Sequence, residues 1–66
     1  MAVAKIIEIT AQSSESFEDA IRQGVAKASE SVHNIEGAWV KEQKVVVENG
    51  NITGFRVDLK VTFVLD

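Results

Sequence analysis

Six residues in the second half of the chain carry most of its binding chemistry. Trp39, Lys41 and Gln43 occur at every second position, and so do Arg56, Asp58 and Lys60. Side chains two apart on a β-strand share a face, so each triplet lines one side of a strand. A guanidinium such as Arg56 can grip a phosphate or carboxylate through two hydrogen bonds, or stack on an indole such as Trp39. It can equally pair with an acidic group across a subunit boundary. Repeated around a three- or fourfold axis, Arg56, Asp58 and Lys60 would form charged rings that admit cations or anions.

Catalytic chemistry finds little support. The only histidine is His33 and there is no cysteine, so disulfides, thiolate metal sites and a histidine-rich metal site within one chain are excluded. His33 reads as a surface residue near a helix C-terminus, compatible with the dipole there. Ser13, Ser14, Ser16, Ser29 and Ser31 read as capping or surface residues, and no base stands at a spacing that would build a nucleophilic triad. A net charge of −3 leaves no basic excess to neutralise nucleic-acid phosphates. No run approaches the ~20 apolar residues of a membrane span. The start Met-Ala-Val-Ala-Lys lacks the apolar core of a signal peptide. A soluble, cytoplasmic, non-enzymatic protein is expected.

The elements that must position these residues follow from periodicity. Phe55, Val57, Leu59, Val61, Phe63 and Leu65 alternate with Arg56, Asp58, Lys60, Thr62 and Val64, which predicts a strand from about Thr53 to Leu65 with one apolar face. Residues 3–10 are rich in β-branched types and predict a first strand. A polar break at Ala11–Ser14 follows, with Ser13 or Ser14 as helix N-cap and Glu15, Glu18 and Asp19 in the first turns. Phe17, Ala20, Ile21, Gly24, Val25, Ala28, Val32 and Ile35 recur at spacings of three and four. That stripe predicts a helix to about Asn34, roughly 30 Å long. Gly24 lies on the stripe, where a missing side chain lets helix and sheet approach closely. A left-handed cap is expected within Asn34–Gly37. Ala38–Glu48 predict a long second strand and Asn49-Gly50-Asn51 a turn. Val45-Val46-Val47 places apolar residues on both faces, so a register shift is expected near Lys44.

The predicted architecture is α+β, of order β-α-β-β over residues 1–66, with a three-stranded antiparallel sheet and one helix on one face. The opposite face, with Trp39, Lys41, Gln43, Arg56, Asp58 and Lys60, would be wet in a monomer. Ordering a chain this small costs about as much as its own core returns. Self-association into a closed homo-oligomer is therefore expected, hiding the sheet edges and the outer face.

Thr10, Ser13-Ser14-Glu15-Ser16-Phe17, Val32-His33-Asn34-Ile35 and Val61-Thr62-Phe63-Val64-Leu65-Asp66, in that order and spacing, make the whole chain resemble a dodecin. The resemblance implies a hollow sphere of twelve identical subunits that binds riboflavin or FMN as stacked pairs, stores it and catalyses nothing. In flavin-binding dodecins a tryptophan at the start of the second strand stacks on the isoalloxazine ring, and a glutamine early in the third strand bonds its polar edge. Counted without a gap, those positions fall on Gly37 and Arg56, so both flavin contacts are altered. Trp39 lies one pleat along, at about 6.6 Å. It is either a displaced stacking platform, with Lys41 and Gln43 beside it on the same strand, or the filling of a subunit interface. Some dodecin-like proteins without the flavin tryptophan are associated with cations. By that branch of the resemblance a calcium ion would need several oxygen ligands, contributed across subunits by Asp58 and Glu42, or by Glu36 or Asp66.

Overall fold

The computed structural model describes residues 3–65. The chain runs β1 (Val3–Ser13), α1 (Phe17–Ala28), β2 (Ile35–Glu48) and β3 (Asn51–Leu65). The sheet order is β1-β3-β2, antiparallel throughout. The alternating strand is thus the central one, and both other strands are edges. One face of β3 packs beneath α1: Val57, Leu59 and Val61 are fully buried, with Ala20 above them and Ile7, Ile9, Phe17, Ile21 and Val25 around them.

β1 passes straight through the expected break, because Ala11, Gln12 and Ser13 stay in register with Val57, Arg56 and Phe55. The N-cap is Ser16, not Ser13 or Ser14: its backbone is extended and its hydroxyl accepts from the Asp19 amide at 2.9 Å. Ser13 is instead buried, donating to the Asp19 carboxylate and accepting from the Glu15 amide, which fixes the loop into the helix.

The helix ends at Ala28, six residues before the expected Asn34. Ser29 turns its hydroxyl back to the Val25 carbonyl at 2.8 Å, and the Glu30 and Ser31 amides bond carbonyls only three residues back. Serines in series compete for backbone groups and weaken a helix interior. The left-handed residue is Asn34, with φ of 63°, as the sequence suggested. Val32 and Ile35 therefore lie off the helix, and Ile35 opens β2 three residues earlier than Ala38. Asn49 and Gly50, both at positive φ, close the hairpin as a two-residue turn, so β3 begins at Asn51 rather than Thr53.

A helix of 12 residues is about 18 Å long, whereas the subunit extends 51 Å. The helix packs on β1 and β3, and the far end of the β2–β3 hairpin runs past it. Val45, Val47 and Ile52 remain exposed beyond it on the distal arm. The helix is thus shorter than the roughly 30 Å rod that the apolar stripe predicts.

Candidate functional site

Strand pairing sets the outer face in rows across the sheet. From one end these are Ile6–Thr62–Gly37, Glu8–Lys60–Trp39, Thr10–Asp58–Glu42 and Gln12–Arg56–Lys44, each with its β3 residue in the middle. The register is not uniform along β2. It shifts between Ile35 and Gly37, between Val40 and Glu42, and again beyond Val46. The second shift makes Lys41 an extra residue, three positions before Lys44, where the sequence pattern had suggested one.

That bulge changes the parity of everything after it. Lys41 stays on the outer side and reaches across β3 to Glu8 at 3.2 Å. Glu42 follows on the same side, opposite Asp58. Gln43, expected beside Trp39 and Lys41, stands opposite Val57 and so belongs to the helix-side face. It borders the outer depression only as the neighbour of Glu42 and Lys44. Val45 in turn faces Phe55 on the helix side and Val46 faces Gly54 on the outer side, which accounts for the apolar run.

Two surfaces result. Trp39 is 67% exposed, the most open of the large apolar side chains among the described residues. Next to it the Gly37 position is bare, with no atom within 4 Å of where a Cβ would stand. The indole therefore borders an open floor made by Gly37 and Thr62, a shape that accepts a flat ring against its face.

One row further on lies a shallow depression of about 290 Å³ lined by Thr10, Glu42, Gln43, Lys44, Arg56 and Asp58. Its two carboxylates face each other directly across the β2–β3 pair, and so do its two cations. Like charges directly opposite each other destabilise a sheet. The Thr10 hydroxyl donates to Asp58 at 2.9 Å. Among the described residues, no ion pair within the chain joins Arg56, Lys44, Glu42, Asp58 or Lys60; the ion pairs present are Arg22–Glu18, Lys27–Glu30 and Lys41–Glu8.

Asp58 and Glu42, expected as oxygen ligands, are thus brought together. Glu36 sits at the first register shift, beside Gly37, and Asp66 lies outside the described residues. No cluster of three or more metal-ligating side chains occurs among the described residues, so a calcium ion, with its six to eight oxygens, would need ligands from a second subunit. His33 is exposed. The residues that sequence reasoning missed are Glu8, Thr10 and Gln12 on β1, and Lys44. The alternation of Glu8, Thr10 and Gln12 with Ile7, Ile9 and Ala11 was present in the sequence. It gained meaning only once β1 was known to flank β3.

No helix among the described residues is long and apolar enough to cross a membrane. The family model for dodecin matches residues 3–66. The chain is 36% identical over 63 residues to calcium dodecin of Mycobacterium tuberculosis, covering 96% of this chain and 89% of that protein. Its fold superposes on dodecin from Streptomyces davaonensis with a TM-score of 0.93 at 32% identity, covering 98% of this chain and 96% of the other. The crystal structure of the calcium-chelating calcium dodecin from M. tuberculosis matches with a TM-score of 0.83 at 37% identity, covering 97% and 91%. With a family match along almost its whole length and the β-α-β-β subunit in place, the chain belongs to the dodecin family.

Proposed function

We propose that this chain is one domain of a non-enzymatic, cytoplasmic small-molecule store that works as a closed homo-oligomer of the dodecin type, a dodecamer. Its ligand lies between the outer sheet faces of neighbouring subunits. The observation that carries this reading is Trp39, a large indole left 67% exposed beside the open floor at Gly37. A buried partner or a flat ligand is what such a surface costs least to accept. Within the dodecin family, flavin is the flat ring this arrangement suits, with Trp39 taking the stacking role that Gly37 cannot. Arg56 stands where a ring-edge donor is expected and would meet a carbonyl or phosphate oxygen instead.

The test is a titration of riboflavin into the assembled, ligand-stripped protein, followed by flavin fluorescence, with Trp39→Ala as control. Strong quenching at about one flavin per subunit, lost in the variant, is the expected outcome. An intact oligomer that leaves flavin fluorescence unchanged would retire the flavin assignment.

A second reading rests on a different observation. Glu42 directly opposes Asp58, with the Thr10 hydroxyl on the same carboxylate. That places hard oxygen donors where a calcium ion, completed by a neighbouring subunit, would relieve the repulsion between them. The relative named calcium dodecin supports it. Calcium in place of riboflavin as the titrant, followed by calorimetry, separates the two readings.

A further inference from the structure

The rows Thr10–Asp58–Glu42 and Gln12–Arg56–Lys44 form a pattern that is unfavourable within one subunit and complementary to itself. Two carboxylates stand side by side, and two residues along the same strands two cations stand side by side. The rows are about 6.6 Å apart. Among the described residues no ion pair within the chain engages any of the four charged groups. Arg56, Glu42 and Lys44 are exposed and Asp58 half-buried.

We infer that two copies of this chain meet outer face to outer face about a twofold axis that passes between these rows. Asp58 then stands over the neighbour's Arg56, and Glu42 over its Lys44. The inference rests on the closed-oligomer reading above and names one of its contacts.

The geometry is restrictive. Take an axis lying midway between two stacked sheets and directed across the strands. It keeps β3 over β3 and β2 over β2 but reverses their direction. Placed at the level of Val57, it exchanges the carboxylate row with the cation row, so all four charges of each copy find an opposite partner at once. Sheets stacked face to face are about 10 Å apart, a gap that an arginine and an aspartate, or a lysine and a glutamate, reach across together. Any register displaced by one row would set like charges over each other, so the pattern also fixes the register.

The same axis sets the row of Lys60 and Trp39 over the neighbour's Gly54 and Val46, which are opposite each other on its outer face. Gly54 is itself covered, since a Cβ there would stand 3.0 Å from the Gln12 side-chain nitrogen and 3.3 Å from Val46, so the indole meets a surface filled by Val46 and Gln12. The ion pairs and Trp39 are then parts of one contact. With Asp58 and Glu42 committed to the neighbour's cations, the calcium reading loses its two carboxylates.

The test exchanges charges within the pattern and reads oligomer mass by analytical ultracentrifugation at low and high salt, with circular dichroism to show that each variant is folded. Arg56→Asp sets three carboxylates in the shared region of each copy, and the twofold applies the change twice. Association through this contact should weaken on the order of a hundredfold, and the mass should fall to a smaller species. The exchange Arg56→Asp with Asp58→Arg preserves self-complementarity and should restore the mass, and Glu42→Lys with Lys44→Glu in the parent chain should leave the mass unchanged. An unchanged mass for folded Arg56→Asp, or an exchange variant that stays small, would overturn the pairing while leaving the closed oligomer standing. A wild-type protein that is monomeric at micromolar concentration would overturn the oligomer itself, and the pairing with it.

Discussion

At the scale of single residues, Gly24 decides how closely the helix lies on the sheet. A Cβ there would stand 3.1 Å from the Ala11 Cβ and 3.2 Å from the Leu59 Cδ1, both tighter than ordinary contact. Two effects oppose each other in Gly24→Ala. Helix propensity favours alanine by about 1 kcal/mol, whereas forcing a methyl into a packed interface costs about 1–3 kcal/mol. The Leu59 methyl ends a side chain and can rotate, but the Ala11 Cβ is fixed to the central pairing of β1 with β3 and cannot. The packing cost therefore wins, and Gly24→Ala should lose about 1 kcal/mol in urea unfolding measured at fixed protein concentration. A gain in stability would show that helix and sheet move apart freely, and that the buried stripe Ala20, Gly24 and Ala28 is looser than its contacts imply. This residue was legible in the sequence because its place on the apolar stripe is a matter of spacing alone.

Element boundaries were less legible, and the reason is competition among neighbouring serines. All four residues from Ser13 to Ser16 could in composition begin or precede a helix, since three are serines and the other is Glu15. Ser16 caps because Asp19 falls three residues later, with its amide on the Ser16 hydroxyl, while Ser13 is held back in β1 by pairing with Phe55. Long-range pairing thus overrode a local signal. The same holds at the other end, where Ser29 and Ser31 close the helix through their own hydroxyls. Ser16→Ala should cost about 1 kcal/mol of stability, and Ser14→Ala, at an exposed position, close to nothing. Equal effects in a chemical-denaturation comparison would contradict the assigned cap. The bulge at Lys41 was the element-scale feature that mattered most for the site. Its existence was suggested by three consecutive valines, but its position was not, because either face of an edge strand tolerates Lys41, Glu42 and Lys44. Gln43 was misplaced to the outer face for that reason alone, and Lys44 was overlooked for the same one.

At the scale of the whole molecule, the subunit is longer than its core. The rows beneath α1 are sealed, but the hairpin continues past the helix, and Val47 and Ile52 face each other near its tip at 56% and 57% exposure. An edge strand with apolar side chains at the end of a 51 Å subunit is an aggregation hazard unless something covers it. The tip carries few charges to blunt that hazard, Glu48 being the nearest. A closed oligomer that set this arm against a neighbour would remove the hazard, and each subunit would then gain burial that its own short helix cannot supply. Ile52 shares the outer face of β3 with Arg56 and Asp58, and the twofold sets it over the neighbour's Thr62, so charge and burial act in one contact but should answer differently to salt. Ile52→Glu should leave the circular dichroism of the subunit intact, because Ile52 lies outside the buried cluster, yet lower the mass of the assembly in ultracentrifugation. High salt should not rescue it, since burial rather than charge holds the arm, whereas association weakened through the charged rows should respond to salt. If Ile52→Glu instead assembled like the parent chain, the arm would be solvent-facing in the oligomer. The additional burial would then have to come from the edge of β1 and the charged rows of the outer face alone.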